Sequence, residues 1–351
     1  MMPAKEWTRK FVTKDNALHI DPNSKSGAWE WWYFDADFDN GYSVAGTYNC
    51  GSPRPPANSE VRYIENSIYD PQGHKRLVRK RYPKEQCHFS PETCNVAIGP
   101  NFVRGEHPVY RFYMSEGDQG FDLTYEGQVE GYVQPLDGPP MDPAVPETIF
   151  GPGAIPKWTL PMSRAKVTGT LTRDGKTMDV VGEGYHDHNW EDFPLGHGTM
   201  VGETMWGWLH VGEWTFNLTG GRTLRRDGDK GTGRILCYKG QKLVAISYKG
   251  GGMGLNYTTE GTVNGLMRPR NIRITYNEPG LVEGHIDLTV TQLLECWDLH
   301  ARYRPFQKWY AETFFGRPAY FRYRFDYDAD ITVLGERVTG KGRARMEHHR
   351  P

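Results

Sequence analysis

Aromatic and β-branched residues recur along the chain in short runs punctuated by Gly, Pro, Asp and Asn. That pattern predicts an all-β protein, with strands separated by tight turns. The first strong run is Trp29-Glu30-Trp31-Trp32-Tyr33-Phe34-Asp35-Ala36. As a strand it places Glu30, Trp32 and Phe34 on one face and Trp29, Trp31 and Tyr33 on the other. Asp39-Asn40-Gly41 is a turn signal, and Tyr42 to Tyr48 is the returning strand. Further strands are expected over 61–69, 75–82, 109–114 and 121–133. A long hairpin follows, with arms Ser163–Thr172 and Met178–Trp190 and a turn at Asp174-Gly175.

Residues 134–161 hold Pro135, Pro139, Pro140, Pro143, Pro146, Pro152, Pro156 and Pro161, so they form an ordered loop or crossover rather than a regular element. Long loops in compact domains are more often functional or capping than inert, and this one delivers Trp158 to the next strand. Beyond Gly196-His197-Gly198, strands resume at 200–219, 234–248, 255–263, 271–277, 284–297 and 319–334. Pro305 to Gly316 is the one helix, since Phe306, Trp309, Tyr310, Thr313 and Phe314 fall at helical spacing before Gly316-Arg317-Pro318.

The chain carries a weak internal repeat. Gly169-Thr170-Leu171-Thr172, Gly175 and Gly182-Glu183-Gly184 match Asp330-Ile331-Thr332-Val333, Gly335 and Gly340-Lys341-Gly342. Two similar β halves ending in the same hairpin would produce this. The length of 351 residues also exceeds the ~250–300 at which single cores split. The expected division is a lead-in over 1–27, a first domain over 28–195 and a second over 198–347.

Charge narrows the partners. Lys+Arg 42 against Asp+Glu 43 gives no field for nucleic acid or an anionic membrane. No apolar run approaches the ~20 residues of a membrane helix, and Met1–Lys10 lacks a signal-peptide core, so a cytoplasmic protein is expected. Cys50, Cys87, Cys94, Cys237 and Cys296 are scattered and odd in number, which favours free thiols. Neither a P-loop, a G-x-S-x-G, a C-x-x-C nor a dinucleotide fingerprint is present, so no cofactor is expected.

The candidate chemistry lies in Gly182-Glu183-Gly184-Tyr185-His186-Asp187-His188-Asn189-Trp190, expected to face a largely apolar cavity. On a strand, Tyr185, Asp187 and Asn189 share one face, and His186, His188 and Trp190 share the other. An Asp in an aromatic wall can carry a proton near neutral pH, whereas the alternative is a polar strand end that closes the barrel. His186 and His188, with His197 downstream, offer imidazoles for a metal, but a supporting carboxylate and a third histidine in context are not evident, so no metal is assigned. Glu30, flanked by Trp, is either a buried paired carboxylate or a group turned into a cavity. Trp206, Trp208 and Trp214 are core residues, or a wall that stabilises a cation.

Trp29–Asp35 together with Gly182–Trp190 resembles the carotenoid 1,2-hydratase (hydroxyneurosporene synthase) and AttH-like family. Pro318-Ala319-Tyr320-Phe321-Arg322-Tyr323 and Gly340-Lys341-Gly342 resemble its end, so the likeness runs from about 28 to 347. That family includes kievitone hydratase and is related to fungal Diels–Alderases that form decalins. The resemblance implies two lipocalin-like β-barrel halves with a ligand in or between them and no cofactor. It would give Tyr185 and Asp187, with Trp158, an acid-and-cation role, and Glu30 a substrate contact. A histidine that the hydratases place near the Trp has no counterpart, since Pro156 and Lys157 stand there. The family's Gly after Asn-Trp is replaced by Glu191 and Asp192, which adds negative charge at the rim.

The resulting expectation is an acid–base enzyme, a hydratase, isomerase or cyclase, acting on a hydrophobic terpenoid, polyketide or phenolic substrate where the halves meet. Asp187, Tyr185 and Glu30 would carry the chemistry. Trp158, His186, His188, Trp32, Asn189 and Trp208 would contact the substrate. The alternatives are a pericyclase, with Glu30 and Tyr185 polarising a carbonyl, and a carrier of lipid or pigment without turnover.

Overall fold

The computed structural model describes residues 9–23, 27–52, 58–134, 157–191, 203–222, 231–247, 250–257, 266, 268–298, 300–302, 304–314, 317 and 319–350. Of the loop expected over 134–161, residues 135–156 lie outside the described residues, as does the expected junction at 196–198, whereas 157–161 are not loop but the start of a long strand, Lys157–Arg173. The chain divides into one unit of residues 6–138 and 147–197 and another of 1–5, 139–146 and 198–351. All five cysteines are free.

The first unit contains β1 (Trp29–Phe38), β2 (Ser43–Ser52), β3 (Asn58–Tyr69), β4 (Lys75–Tyr82), β5 (Cys87–Phe89), β6 (Cys94–Ile98) and β7 (Asn101–Glu106). It continues with β8 (Val109–Glu116), β9 (Gln119–Gly127), β10 (Tyr132–Val133), β11 (Lys157–Arg173) and β12 (Lys176–Glu191). They make one twelve-stranded sheet in the order β4-β3-β2-β1-β12-β11-β9-β8-β7-β6-β5, with β10 on β11. A single buried cluster draws Trp32 and Phe34 from β1, Ile64 from β3, Val96 from β6, Phe112 from β8, Leu123 from β9 and Val167 from β11. One face of the sheet therefore curls around one core, as in a lipocalin-like barrel.

The second unit contains β13 (Thr204–Val211), β14 (Trp214–Arg222), β15 (Gly231–Lys239), β16 (Lys242–Ser247), β17 (Gly250–Tyr257) and β18 (Pro269–Glu278). After β19 (Val282–Asp298) come helix α1 (Pro305–Phe314), β20 (Ala319–Val333) and β21 (Glu336–Arg350). Its nine strands run β13-β21-β20-β19-β18-β17-β14-β15-β16, and β13 also pairs with β14. This sheet too curls around its own apolar cluster, which includes Phe216, Ile235, Ile274, Ile286, Phe325 and Met346.

Two predicted strands are each a hairpin. The run 200–219 turns at Gly212 and the run 234–248 at Gly240, both at positive φ (59° and 57°). In each case the turn is a Gly-led pair, Gly212-Glu213 between Val211 and Trp214 and Gly240-Gln241 between Lys239 and Lys242, without the Asn-Gly or Asp-Gly signature. The β5–β7 segment was not predicted. The expected repeat has a shared geometry, because the hairpin turns Asp174-Gly175 (φ 51° and 74°) and Leu334-Gly335 (φ 51° and 84°) both hold two residues in the left-handed region.

The glycines after those turns have a steric role. A Cβ on Gly182 would lie 2.0 Å from the Asp37 carbonyl oxygen, and one on Gly184 would lie 2.7 Å from that of Asp35. β12 passes β1 too closely there for any side chain. Along β12, burial alternates up to Gly184, and from Gly184 to Glu191 every residue except Asn189 is buried. Over that stretch both faces of β12 are covered.

Candidate active site

β1 and β12 pair antiparallel, with Tyr33 opposite Asp187, Asp35 opposite Tyr185 and Trp31 opposite Asn189. These six share the sheet face turned away from the barrel core. On the inner face, Glu30 stands opposite Trp190, Trp32 opposite His188 and Phe34 opposite His186. The chemistry-bearing residues therefore form two clusters separated by the thickness of the sheet.

The outer cluster centres on Asp187, which is 1% exposed. Its Oδ2 accepts hydrogen bonds from the Tyr185 hydroxyl at 2.7 Å and the Trp158 indole N–H at 3.0 Å. Its Oδ1 accepts the Asn189 amide at 2.8 Å. An indole N–H can only donate, so this is the surrounding of a carboxylate. Tyr132 packs edge-on against Trp158, with ring centroids 5.6 Å apart. Beside it, the Tyr33 hydroxyl donates to Asp35 at 3.0 Å. Glu191, expected as a rim charge, is instead 2% exposed and accepts the Trp29 indole N–H at 3.0 Å. The outer face thus carries three buried carboxylates, each bonded to an aromatic donor.

The inner cluster sits where residues 9–23 meet the barrel. The Glu30 carboxylate accepts the main-chain N–H of His19 (3.0 Å) and of Ile20 (2.9 Å) and the Nε2–H of His188 at 2.6 Å. His19 Nδ1 stands 3.3 Å from the same carboxylate. Burial raises the Glu30 carboxyl, but His188 and His19 more than offset this and hold it below the usual carboxylate range. Burial pushes His188 down, and the Glu30 carboxylate pulls it the other way. His186 donates from Nδ1 to the Tyr33 carbonyl at 2.6 Å, and its Nε2 accepts the Asn16 amide at 2.9 Å. Burial lowers its pKa to about 3. Trp32 donates its indole N–H to the Asn16 carbonyl at 3.0 Å.

Asp187, Tyr185, Asn189 and Trp158 therefore come together, as the strand alternation required. Glu30 does not join them. It points into the barrel with Trp32, His186 and His188, and all four are buried there among packed side chains rather than lining a cavity with Asp187. The physical reason is register: one strand shows opposite faces at even and odd positions, and Glu30 and Asp187 fall on opposite parities of the pairing. Trp208 belongs to β13 of the second unit, 5% exposed, with its ring 5.0 Å from that of His210. Metal-capable donors group elsewhere than expected: the ligand atoms of His19, Glu30 and His188 all lie within 4.8 Å of one another. Tyr33 and Asp35 were not singled out as site residues, although their Tyr-x-Asp spacing repeats that of Tyr185 and Asp187. His19 and Asn16 carried no local signal.

No family model matches the chain, and no curated protein matches it in sequence. Solved structures do match. The chain is similar to CghA crystallised with Sch210972 at 13% identity and a TM-score of 0.58, covering 99% of this chain and 97% of that one. It is similar to a putative AttH from Nitrosomonas europaea at 13% identity and a TM-score of 0.60, with 95% and 96% covered. Kievitone hydratase from Nectria haematococca matches at 14% identity and a TM-score of 0.55, with 97% and 96% covered. The last two are of the kinds to which the aromatic motifs pointed. Identities this low establish a shared fold.

Proposed function

We propose that the protein is a cofactor-independent acid–base enzyme, a hydratase, isomerase or cyclase, acting on an apolar terpenoid, polyketide or phenolic substrate. The observation that carries this reading is the Tyr185–Asp187–Trp158 cluster: a fully buried carboxylate held by a phenol and an indole on an aromatic face. Such a carboxylate exchanges a proton with its phenol along one short hydrogen bond, while the indole holds its orientation. In hydration, the Tyr185–Asp187 pair delivers a proton to an alkene carbon and the aromatic rings stabilise the cation. Water then adds to the cation and its proton passes through Asp187 back to the Tyr185 oxygen, so the pair ends as it began. In isomerisation, Asp187 removes a proton at one carbon and the pair restores it at another.

Glu30 is outside this machinery in our reading, and so are His186 and His188, which support the barrel core. The test is a substrate panel of polyenes, prenylated phenols and polyketides followed by mass spectrometry in labelled water. Wild type should incorporate solvent hydrogen into a product, and Asp187→Asn should lose turnover by at least ~100-fold with an unchanged circular dichroism spectrum. A fully active Asp187→Asn would overturn the reading.

A pericyclase is the second reading. The likeness to a protein crystallised with Sch210972 is one of fold, and it supports a shaped pocket for a folded small molecule. Turnover without solvent hydrogen, insensitive to Asp187→Asn but sensitive to Trp158→Ala, would favour it. Candidate ligands that bind tightly and emerge unchanged would instead indicate a carrier.

A further inference from the structure

The inner cluster has a feature that neither the acid–base reading nor the fold requires. Two imidazoles converge on one oxygen of one buried carboxylate, and each is held flat by an indole. His19 stacks on Trp190 with centroids 3.8 Å apart and planes 8° apart, and His188 stacks on Trp32 at 4.5 Å and 19°. His19 Nδ1 and His188 Nε2 approach Glu30 Oε1 at 3.3 and 2.6 Å. Oε2 is fixed separately by the main-chain N–H groups of His19 and Ile20. The two rings are therefore preorganised by stacking, and the carboxylate by main-chain N–H groups, of which that of His19 reaches both oxygens at 3.0 Å.

We propose that His19, Glu30 and His188 form a site for a divalent cation of the zinc class, which ties residues 9–23 to β1 and β12. Two neutral imidazoles and a carboxylate are a donor set that suits zinc. With metal–ligand bonds of about 2.0–2.1 Å, ligand atoms on a tetrahedral edge lie about 3.3 Å apart. The His19–Glu30 edge already has that length at 3.3 Å. The His188–Glu30 edge, 2.6 Å with its proton in place, opens by about 0.7 Å when the cation replaces that proton. His188 then carries its proton on Nδ1, which makes no hydrogen bond of good geometry and has the Asp15 main-chain carbonyl beside it as an acceptor. That tautomer leaves Nε2 free to ligate. The His19 side chain is 25% exposed, which gives the ion an entrance and leaves the fourth position to water. The site lies on the opposite face of the sheet from Asp187, so the ion fastens the fold and takes no part in proton transfer.

The test uses the full-length protein stripped with a chelator, titrated with Zn²⁺ by calorimetry and with Co²⁺ by visible absorption. We expect one equivalent of Zn²⁺ per chain, a rise in Tm with added Zn²⁺, and Co²⁺ bands of a four- or five-coordinate site. His19→Ala, at a partly exposed side chain and with an unchanged circular dichroism spectrum, should weaken Zn²⁺ binding by more than ~100-fold and abolish the Co²⁺ bands. His74→Ala, at another exposed imidazole, should leave both unchanged. No saturable uptake by wild type, or uptake that survives His19→Ala, would overturn the proposal. Neither result depends on the enzyme assay.

Discussion

Tyr33 of β1 stands directly opposite Asp187 of β12. Because the strands are antiparallel, the next outward pair is Asp35 opposite Tyr185, so the four residues make a square with like groups on its diagonals. The two phenol rings meet edge-on with centroids 6.2 Å apart. Each hydroxyl nevertheless bonds along its own strand, Tyr33 to Asp35 and Tyr185 to Asp187. The two phenols therefore belong to different carboxylates although they touch.

That difference predicts unequal effects of one small change. Tyr185→Phe should lower turnover by about 10²–10⁴-fold, the usual worth of a positioned proton carrier. Tyr33→Phe should lower it less than ~10-fold and act mainly on stability, by about 1–3 kcal/mol for the lost buried hydrogen bond. Rate measurements on a converted substrate, beside urea denaturation of both variants, separate the two. Equal losses of turnover would show that the square acts as one unit.

Much of this site was legible beforehand. Period-two alternation correctly separated Tyr185 and Asp187 from the histidines, and Trp32 from Trp31, within each strand. What alternation cannot supply is register between strands 150 residues apart, and a shift of one residue exchanges the faces. Alternation therefore could not place Glu30 relative to Asp187, and the substrate contact expected of Glu30 rests on the family resemblance alone. The role of residues 13–20 was also hidden, because Glu30 is bonded there by main-chain N–H groups, which every residue but proline possesses. The Gly182-x-Gly184 frame was legible as a repeat, and its cause is the close passage of β1.

Glu30→Gln should test the separation of the two faces. The variant replaces a charged acceptor of two main-chain N–H groups, so it should lose about 1.5–3 kcal/mol in denaturant unfolding. Amides over 9–23 should exchange with deuterium faster, and catalysis by the molecules that remain folded should persist. Loss of turnover with native exchange over 9–23 would return Glu30 to the chemistry.

The buried His186 gives a pH signature. Its folded pKa of about 3 lies below the ordinary 6.5, so between those values the unfolded chain holds a proton that the folded chain refuses. Stability should therefore fall as pH falls through that window, by at most ~1.4 kcal/mol per pH unit from this residue. Urea midpoints at pH 7, 5.5 and 4 for wild type and His186→Asn measure it. The gap in stability between them should narrow toward acid, and a gap independent of pH would show that His186 takes up its proton as readily in the folded as in the unfolded chain.

The repeated glycines should differ in cost. Ala at Gly182 would press on main-chain oxygen at 2.0 Å, whereas Ala at Gly340 would meet the Val211 methyl at 2.5 Å. Backbone cannot rotate away and a valine can. Gly182→Ala should therefore destabilise by more than the ~1–3 kcal/mol of ordinary overpacking, and Gly340→Ala by no more than that. Urea denaturation of both variants would detect the difference.

The pairing of β1 with β12 joins the first and last strands of the unit, so Trp29 and Glu191 meet across more than 150 residues of chain. At ~5–20 residues per second, a ribosome needs about 10–30 s to supply the second half of the site after the first has emerged. During that interval β1 can pair with β2, where Tyr33 stands opposite Thr47 and Asp35 opposite Ala45, but its other edge waits for β12. The site is thus the last part of the unit to come into being. A nascent chain released early would carry the aromatic strand without the residues that give it chemistry.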